Sequence, residues 1–389
     1  MSFDAIVVGS GLCGSVIARE LAKTGNRVLV LEKRSHVGGN LYDFRQKNGF
    51  LVQKYGPHTF HTKDKNLFDY ISRYEEWEPF SLRCGAIIDG IETPSPFNFK
   101  TIDQFYSPKD AEDLKKRLEN YYGFGTTATV VEVLENKDPK ISAYARFLFE
   151  KDYSPYTAKQ WGISPSEIDL SVLKRVPLRF SYREGYFDDT YEVMPKHSFT
   201  AFIENLLNHE NIECKTGVDA IPLLSFKDNK VIYEDKAPLI VFTGPLDALF
   251  AFKFGELPYR SLRFEFKSAG EQGIQKYPVT AYPEAKDFTR ITDYRHLPEQ
   301  PGYKETTYAV EYSLPYKPGE KNEPFYPILT ESSKKQYRQY ETLAKSFSNL
   351  YCCGRLAEFK YYNMDQALKK ALEIAERILS DIETRGVSL

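Results

Sequence analysis

The chain opens on an apolar run, Ala5-Ile6-Val7-Val8, that breaks at Gly9-Ser10-Gly11-Leu12-Cys13-Gly14 and continues as a helical pattern from Ser15 to Thr24. A second apolar run, Val28-Leu29-Val30-Leu31, ends on Glu32. Strand, glycine turn, helix and strand in this order predict a βαβ unit that binds a dinucleotide. Gly9 is expected to make the tight turn, Gly11 to let backbone approach a pyrophosphate, and Gly14 to let the helix pack against the strand. The free N–H groups of the helix start would receive the phosphates, and Glu32 is placed to accept a ribose hydroxyl. A second glycine turn, Gly38-Gly39-Asn40, follows the second strand directly. That extra pair favours FAD over NAD.

Further along, Asp64 to Tyr74 reads as a helix, and Ala86 to Glu92 as strands joined by Asp89-Gly90 in a hairpin. Tyr55-Gly56-Pro57-His58-Thr59-Phe60-His61-Thr62 reads as a loop against the cofactor; its two histidines find no completing ligands, so no metal is expected. From Thr101 to about Lys174 the pattern is helical, with helices at Ala111–Tyr121, Ile141–Tyr153 and Ser166–Leu173. Between two of these lies a polar segment bounded by Pro155 and Gly162, carrying Tyr156 and Trp161. Trp161 either stacks on a base or plugs the helical region. Val172 to Tyr191 returns to strand character with Arg175, Arg179, Tyr182 and Tyr186, a set suited to a diphosphate or to a solvated strand face.

Phe199–Leu207 is expected to be a helix. The runs Ile212–Val218, Val231–Tyr233 and Leu239–Phe242 are expected to rejoin the nucleotide-binding sheet, with Thr243-Gly244-Pro245 ending near the cofactor. Tyr259–Phe266, Thr289–Thr292 and Thr306–Tyr312 predict a second, antiparallel sheet. Leu350 to Arg355 is a strand running into glycine, and a helix follows from Gln366 to about Glu383. The expected fold class is α/β: an FAD-binding Rossmann-like domain (1–80, 197–245 and 321–389), an inserted helical domain (100–174) and an antiparallel sheet domain (81–99, 175–196 and 246–320).

Composition narrows the partners. The 389 residues carry a formal net charge of −2, with a pI near 6.4, which argues against a nucleic-acid binder working through a broad basic surface. Tyrosine and phenylalanine number 28 and 27 against two tryptophans, a bias suited to pockets that stack bases and hydrogen-bond sugars. Five cysteines (13, 84, 214, 352 and 353) have no metal spacing and read as buried free thiols of a reducing compartment. No apolar run is long enough to span a bilayer, so a soluble, cytoplasmic protein is expected.

Taken together, the motifs resemble the bacterial UDP-galactopyranose mutase family over essentially the full length. The resemblance rests on the two glycine turns, on Glu32-Lys33-Arg34, on Tyr55-Gly56-Pro57-His58 with Phe60-His61-Thr62, and on Tyr156-Thr157 with Lys159-Gln160-Trp161-Gly162. It continues through Lys174-Arg175-Val176-Pro177, Tyr259-Arg260-Ser261-Leu262, Thr289-Arg290-Ile291, Pro324-Phe325-Tyr326-Pro327 and Gly354-Arg355-Leu356-Ala357-Glu358. It implies an isomerase in which reduced FAD attacks the anomeric carbon of a nucleotide sugar through N5 and displaces the nucleoside diphosphate. The sugar then opens through an iminium and recloses, turning pyranose into furanose. The family places fixed positive charge at the positions of Arg175 and Arg290 and phosphate-contacting tyrosines at those of Tyr156, Tyr186, Tyr326 and Tyr361. Trp161 matches its base-side aromatic, and Arg260 and His61 lie at flavin- or sugar-side positions. For the cofactor it implies, beside Gly9, Gly11, Gly14 and Glu32, the pair Lys33 and Asn40 around Gly39. His58 and His61 follow, then Val218, and finally Gly354, Arg355 and Met364. A homodimer is also implied.

Three stretches depart from the family. Tyr361-Tyr362-Asn363-Met364 carries an amide where the family has an acid near the catalytic centre, Pro195 to Thr200 loses a glycine and a hydroxyl, and Ser81 to Gly85 lacks an Asn-Ser-Pro character. These changes keep open a different sugar, such as dTDP-fucopyranose or UDP-N-acetylgalactosamine. An FAD-dependent oxidoreductase, or a binder without turnover, are the readings of other classes.

Overall fold

The computed structural model describes residues 3–162 and 176–385. The expected helix Ser166–Leu173 and Arg175 therefore lie outside the described residues. Ala5–Val8 and Val28–Glu32 pair in parallel, and the sheet grows on both sides. Ile212–Thr216 adds outside the second strand, Leu239–Phe242 beside the first, and Leu350–Cys352 at the far edge. Every pair in this five-stranded sheet is parallel. Val231–Tyr233 does not join it. That run forms its own hairpin with Leu224–Lys227, because Asp228 and Asn229 adopt the left-handed turn that folds the chain back on itself.

One face of the sheet is covered by the opening helix, Leu12–Lys23, the helix Phe199–Leu207 and the last helix, Met364–Arg385. Leu368, Ala371, Ala375 and Ile378 of the last helix fall at helical spacing and are fully buried. They share one core with Val16, Ile17 and Leu21 of the opening helix.

The second large sheet has seven strands, with Glu305–Pro315 and Tyr259–Gly270 as its longest pair. It is antiparallel, as expected, except where Val279–Ala281 runs parallel to Cys84–Ile88. The Asp89-Gly90 turn forms as expected, both residues left-handed, and joins Cys84–Ile88 to Ile91–Ser95. The stretch read as a strand from Val172 to Tyr191 is mostly not one over its described residues, 176–191. Among these the structure places the short strand Leu178–Arg179, and Tyr191–Pro195 belongs to a small third sheet with Phe60–Thr62 and Trp77–Pro79.

The helical segment has a core of its own, built from Phe97, Phe99, Leu114, Val130 and Tyr144 and closed on the broad sheet by Ala86 and Ile88. The segment carrying Tyr156 is itself a helix, Ser154–Trp161, not a connection between helices. Pro155 stands in the first turn of this helix, which continues directly from a π-helical turn, Phe149–Tyr153. The five cysteines are free; Cys214 and Cys352 are half-buried rather than buried.

Leu368→Ala removes a fully buried side chain at the contact between the first and last helices and should lower stability by roughly 2–5 kcal/mol in urea denaturation. Lys369→Ala, one residue on and exposed, should change it by less than about 0.5 kcal/mol.

Candidate active site

Two cavities meet inside the fold. The first, about 400 Å³, lies at the carboxyl ends of the parallel strands, between the two glycine turns. Gly9 has a φ of +101°, and a Cβ there would sit 2.2 Å from Thr243 Oγ1; a Cβ on Gly14 would sit 2.0 Å from the Gly9 carbonyl oxygen. The helix start is thus in direct backbone contact with the strand end. Gly39 approaches Gly11 so closely that its Cβ would lie 3.0 Å from the Gly11 Cα. Two bare backbone turns face each other across the cavity mouth, a cradle that side chains would fill. Glu32 accepts from Ser10 N at 2.9 Å, Ser10 Oγ at 2.8 Å and Arg34 N at 2.9 Å. It holds the first turn in place and still lines the cavity, where a carboxylate has acceptor capacity to spare.

Of the residues expected around a cofactor, Lys33, Asn40, His58, Val218, Gly354, Arg355 and Met364 line this cavity together with Gly9, Gly11, Gly14, Glu32 and Gly39. Lys33 is paired with Glu323 at 2.8 Å. His61 does not line it. Its strand, Phe60–Thr62, carries it into the second cavity, where its ring stacks on Phe187 at 3.5 Å and Nδ1 meets Asp189 at 2.5 Å.

The second cavity, about 280 Å³, is walled by the broad sheet, the helix Ser154–Trp161 and the segment before the last helix. Arg290 enters from the sheet. Directly across the strand pair stands Glu311, 1% exposed, which accepts from Arg290 Nε at 2.6 Å. Burial works against the guanidinium charge, but Glu311 and the nearby Tyr156 and Tyr326 hold it protonated. Arg355 lies 4.9 Å from the centre of each of the Tyr326 and Tyr361 rings, which stack on one another at 5.5 Å. Burial raises the pKa of Tyr156 and Tyr326 above the ordinary range, so both hydroxyls stay protonated and can donate. Tyr186 lines the same space.

Arg260 is the expected site residue that the structure keeps out of both cavities. Its guanidinium is buried against the Gln160 carbonyl and Ser313 Oγ, at 3.3 and 2.8 Å, and fastens the end of the helix Ser154–Trp161 to the sheet. Trp161 sits at the end of that helix; its side chain, like Arg175, falls outside what is described.

Five residues line both cavities: His58, Arg355, Tyr362, Asn363 and Met364. They form the junction. His58 is half-buried between the two cavities, and desolvation pushes its pKa down to about 4, leaving the ring neutral. Nδ1 is 2.9 Å from the Gly56 carbonyl, which can only accept, so Nδ1 carries the proton and Nε2 is an acceptor. Asn363 is exposed, with its backbone N–H on Gln366 Oε1.

Sequence reasoning missed Glu311, Asp189 and Asp152. The first two are joined to Arg290 and His61 over 21 and 128 residues of chain, a separation that no motif spans. Asp152 stands two residues before Ser154 and lines the second cavity, with burial raising its pKa to about 7.

The model of the UDP-galactopyranose mutase family matches residues 151–361, and that of an NAD(P)-binding Rossmann-like domain matches residues 7–74. The chain is 34% identical to a probable UDP-galactopyranose mutase of Klebsiella pneumoniae, over 97% of this chain and 95% of the relative. It is 31% identical to a dTDP-fucopyranose mutase of Escherichia coli, over 95% and 97%. Its fold is similar to that of a reduced UDP-galactopyranose mutase, with a TM-score of 0.67 at 15% identity, covering 97% of this chain and 96% of that one. A putrescine oxidase shares the fold at a TM-score of 0.58 and 10% identity, covering 98% and 99%.

Gly14→Ala should displace the helix start from the Gly9 carbonyl; purified protein should carry less flavin and melt at a lower temperature. His58 predicts an acid limit. Unfolded histidine takes up its proton near pH 6.5, whereas the half-buried ring does so only near pH 4. Its contribution to stability is therefore whole above pH 6.5 and is lost as pH falls toward 4. Denaturation of His58→Asn across this range should depend on pH by about one proton less than wild type.

Proposed function

We propose a function from the premise that the chain belongs to the UDP-galactopyranose mutase family of isomerases. In our reading it interconverts the pyranose and furanose forms of a nucleotide-bound hexose with FAD as cofactor. The observation that carries this is the meeting of the two cavities: a dinucleotide cradle opens, through His58, Arg355, Tyr362, Asn363 and Met364, onto a chamber of arginines and tyrosines. The bare turns at Gly9–Gly14 and Gly38–Gly39 fit the pyrophosphate of FAD, Glu32 its ribose, and the junction its reactive ring. Bound in reduced form, the flavin would supply a nucleophilic nitrogen, N5, to the anomeric carbon.

The protein's own residues handle the leaving group. A diphosphate that departs and returns needs charge that does not depart with it. Arg290 is fixed by Glu311, and Arg355 packs against two tyrosine rings and donates to the Tyr362 carbonyl at 2.7 Å, so neither must reorganise as charge develops. Arg175, in the family's position for the second arginine, is assigned the same task. Tyr156, Tyr186, Tyr326 and Tyr361 would donate to the phosphate oxygens. His58, neutral and accepting at Nε2, would hold a sugar or flavin proton at the junction, and His61, oriented by Asp189, would flank the sugar.

The relatives named as a UDP-galactopyranose mutase and a dTDP-fucopyranose mutase differ in both sugar and base. We assign this chain to galactose or a 6-deoxy or N-acetyl analogue. The amide Asn363 at the junction leaves one charged group fewer to satisfy there.

Dithionite-reduced protein incubated with UDP-galactopyranose, dTDP-fucopyranose and UDP-N-acetylgalactosamine should convert one of them to its furanose isomer; oxidised protein should not. A stoichiometric oxidised product would instead support an oxidoreductase. Arg290→Ala should lower kcat by roughly 100-fold or more while flavin absorbance is retained.

A further inference from the structure

One carboxyl in the second cavity has no task in the reading above. Asp152 is 8% exposed and lines the cavity, yet among the described residues its Oδ1 is buried without a hydrogen-bond partner. Buried carboxyls are ordinarily paired. Lys151, the preceding residue, is paired with Asp89, and Lys159, the cation that acts on Asp152, donates its ammonium to the carbonyls of Tyr282 at 2.6 Å, Pro283 at 3.3 Å and Ala285 at 2.6 Å. Those three bonds exhaust its donors. Asp152 is also deliberately presented. It stands in a π-helical turn, Phe149–Tyr153, and shares the cavity wall with Tyr156 and Gln160, four and eight residues on. Widened turns of this kind concentrate at functional sites.

The order of groups along the cavity says what Asp152 would meet. At one end lies the junction with the dinucleotide cradle. Arg355, Tyr326 and Tyr361 follow, in contact with one another, and Arg290 and Tyr156 line the same space. Asp152 lines the second cavity but not the first, four residues before Tyr156 on the same wall, and so stands away from the junction. On the nucleotide-sugar reading, which this inference rests on, the sugar lies at the junction and the diphosphate on the arginines and tyrosines. The base then reaches Asp152.

We infer that Asp152 accepts a hydrogen bond from the N3–H of a uracil or thymine base, and so selects nucleotides that carry this donor. Both bases present the same imide edge, a ring N–H between two carbonyls. The charged carboxylate accepts from N3–H, and the protonated acid can accept there while donating to the neighbouring carbonyl. Either form present near neutral pH thus satisfies the pair. A 3-methylated base offers no donor to the carboxyl's accepting oxygen, and that lost hydrogen bond gives the discrimination.

The test is calorimetric titration of the flavin-loaded protein with UDP, dTDP and 3-methyluridine diphosphate, which lacks the proton. Wild type should bind UDP or dTDP roughly ten- to a hundredfold more tightly than the methylated analogue. In Asp152→Ala the preference should shrink to a few-fold, by weaker UDP binding, and truncation leaves room for the methyl group. Asp152→Asn keeps an acceptor and should retain part of the preference. Without nucleotide, both variants should melt no lower than wild type, because they remove an unpaired buried carboxyl. Unchanged discrimination in Asp152→Ala, or a loss of several degrees in Asp152→Asn, would overturn the inference. UDP binding that weakens in Arg290→Ala but not in Asp152→Ala would overturn it while leaving the nucleotide-sugar reading intact. No binding of any diphosphate by wild type would overturn both.

Discussion

The architecture depends on a contact between two stretches of backbone with nothing between them. The helix Leu12–Lys23 begins so close to the end of the first strand that a methyl group at Gly14 would occupy the Gly9 carbonyl oxygen. Because the helix is seated that low, Gly11 can meet Gly39 of the second turn, and the last helix can pack along it through Leu368, Ala371 and Ala375. The first cavity is what remains above this contact. Its floor is backbone amide, the one surface that can approach a pyrophosphate closely and offer it several N–H groups at once.

The second cavity follows from a different principle. Charges placed inside a protein must be held there by other charges or by hydrogen bonds. Arg290 is held by a glutamate opposite it on the neighbouring strand, and Arg355 by the faces of two tyrosines. Arg260 shows the structural use of the same residue type, capping a helix carbonyl and a serine away from either cavity. His61 is aimed by Asp189, and His58 is kept neutral by burial. Against this background of satisfied groups, the lone oxygen of Asp152 stands out as waiting for something that binds.

The chemistry proposed needs both cavities, and the fold joins them at the N-terminus of the last helix. Tyr361, Tyr362 and Asn363 form a short connector, leading into Met364 of that helix, that belongs to neither sheet. A strand of the parallel sheet delivers Gly354 and Arg355 to one side of it, and the broad sheet delivers Arg290 and Tyr326 to the other. A substitution in this connector, such as the amide at 363, can alter the junction without disturbing either core.

The sequence by itself determined the elements whose rules are local. Continuous apolar runs gave the parallel strands, the glycine spacing gave the turns and the cradle, and Asp89-Gly90 gave a hairpin, because each depends on residues adjacent in the chain. Local pattern failed where short apolar runs had two possible partners. Val231–Tyr233 was drawn to the main sheet by its hydrophobicity but is claimed by the hairpin turn before it. The segment around Tyr156, which reads as a polar link, is wound into a helix and tied to the broad sheet through Arg260. Only the tertiary structure decided which groups face each other. Glu311 reaches Arg290 by strand register, Asp189 reaches His61 from a distant segment, and Asp152 is left unpaired by its depth. Pairing and burial are properties of the assembled core, and no stretch of chain carries them alone.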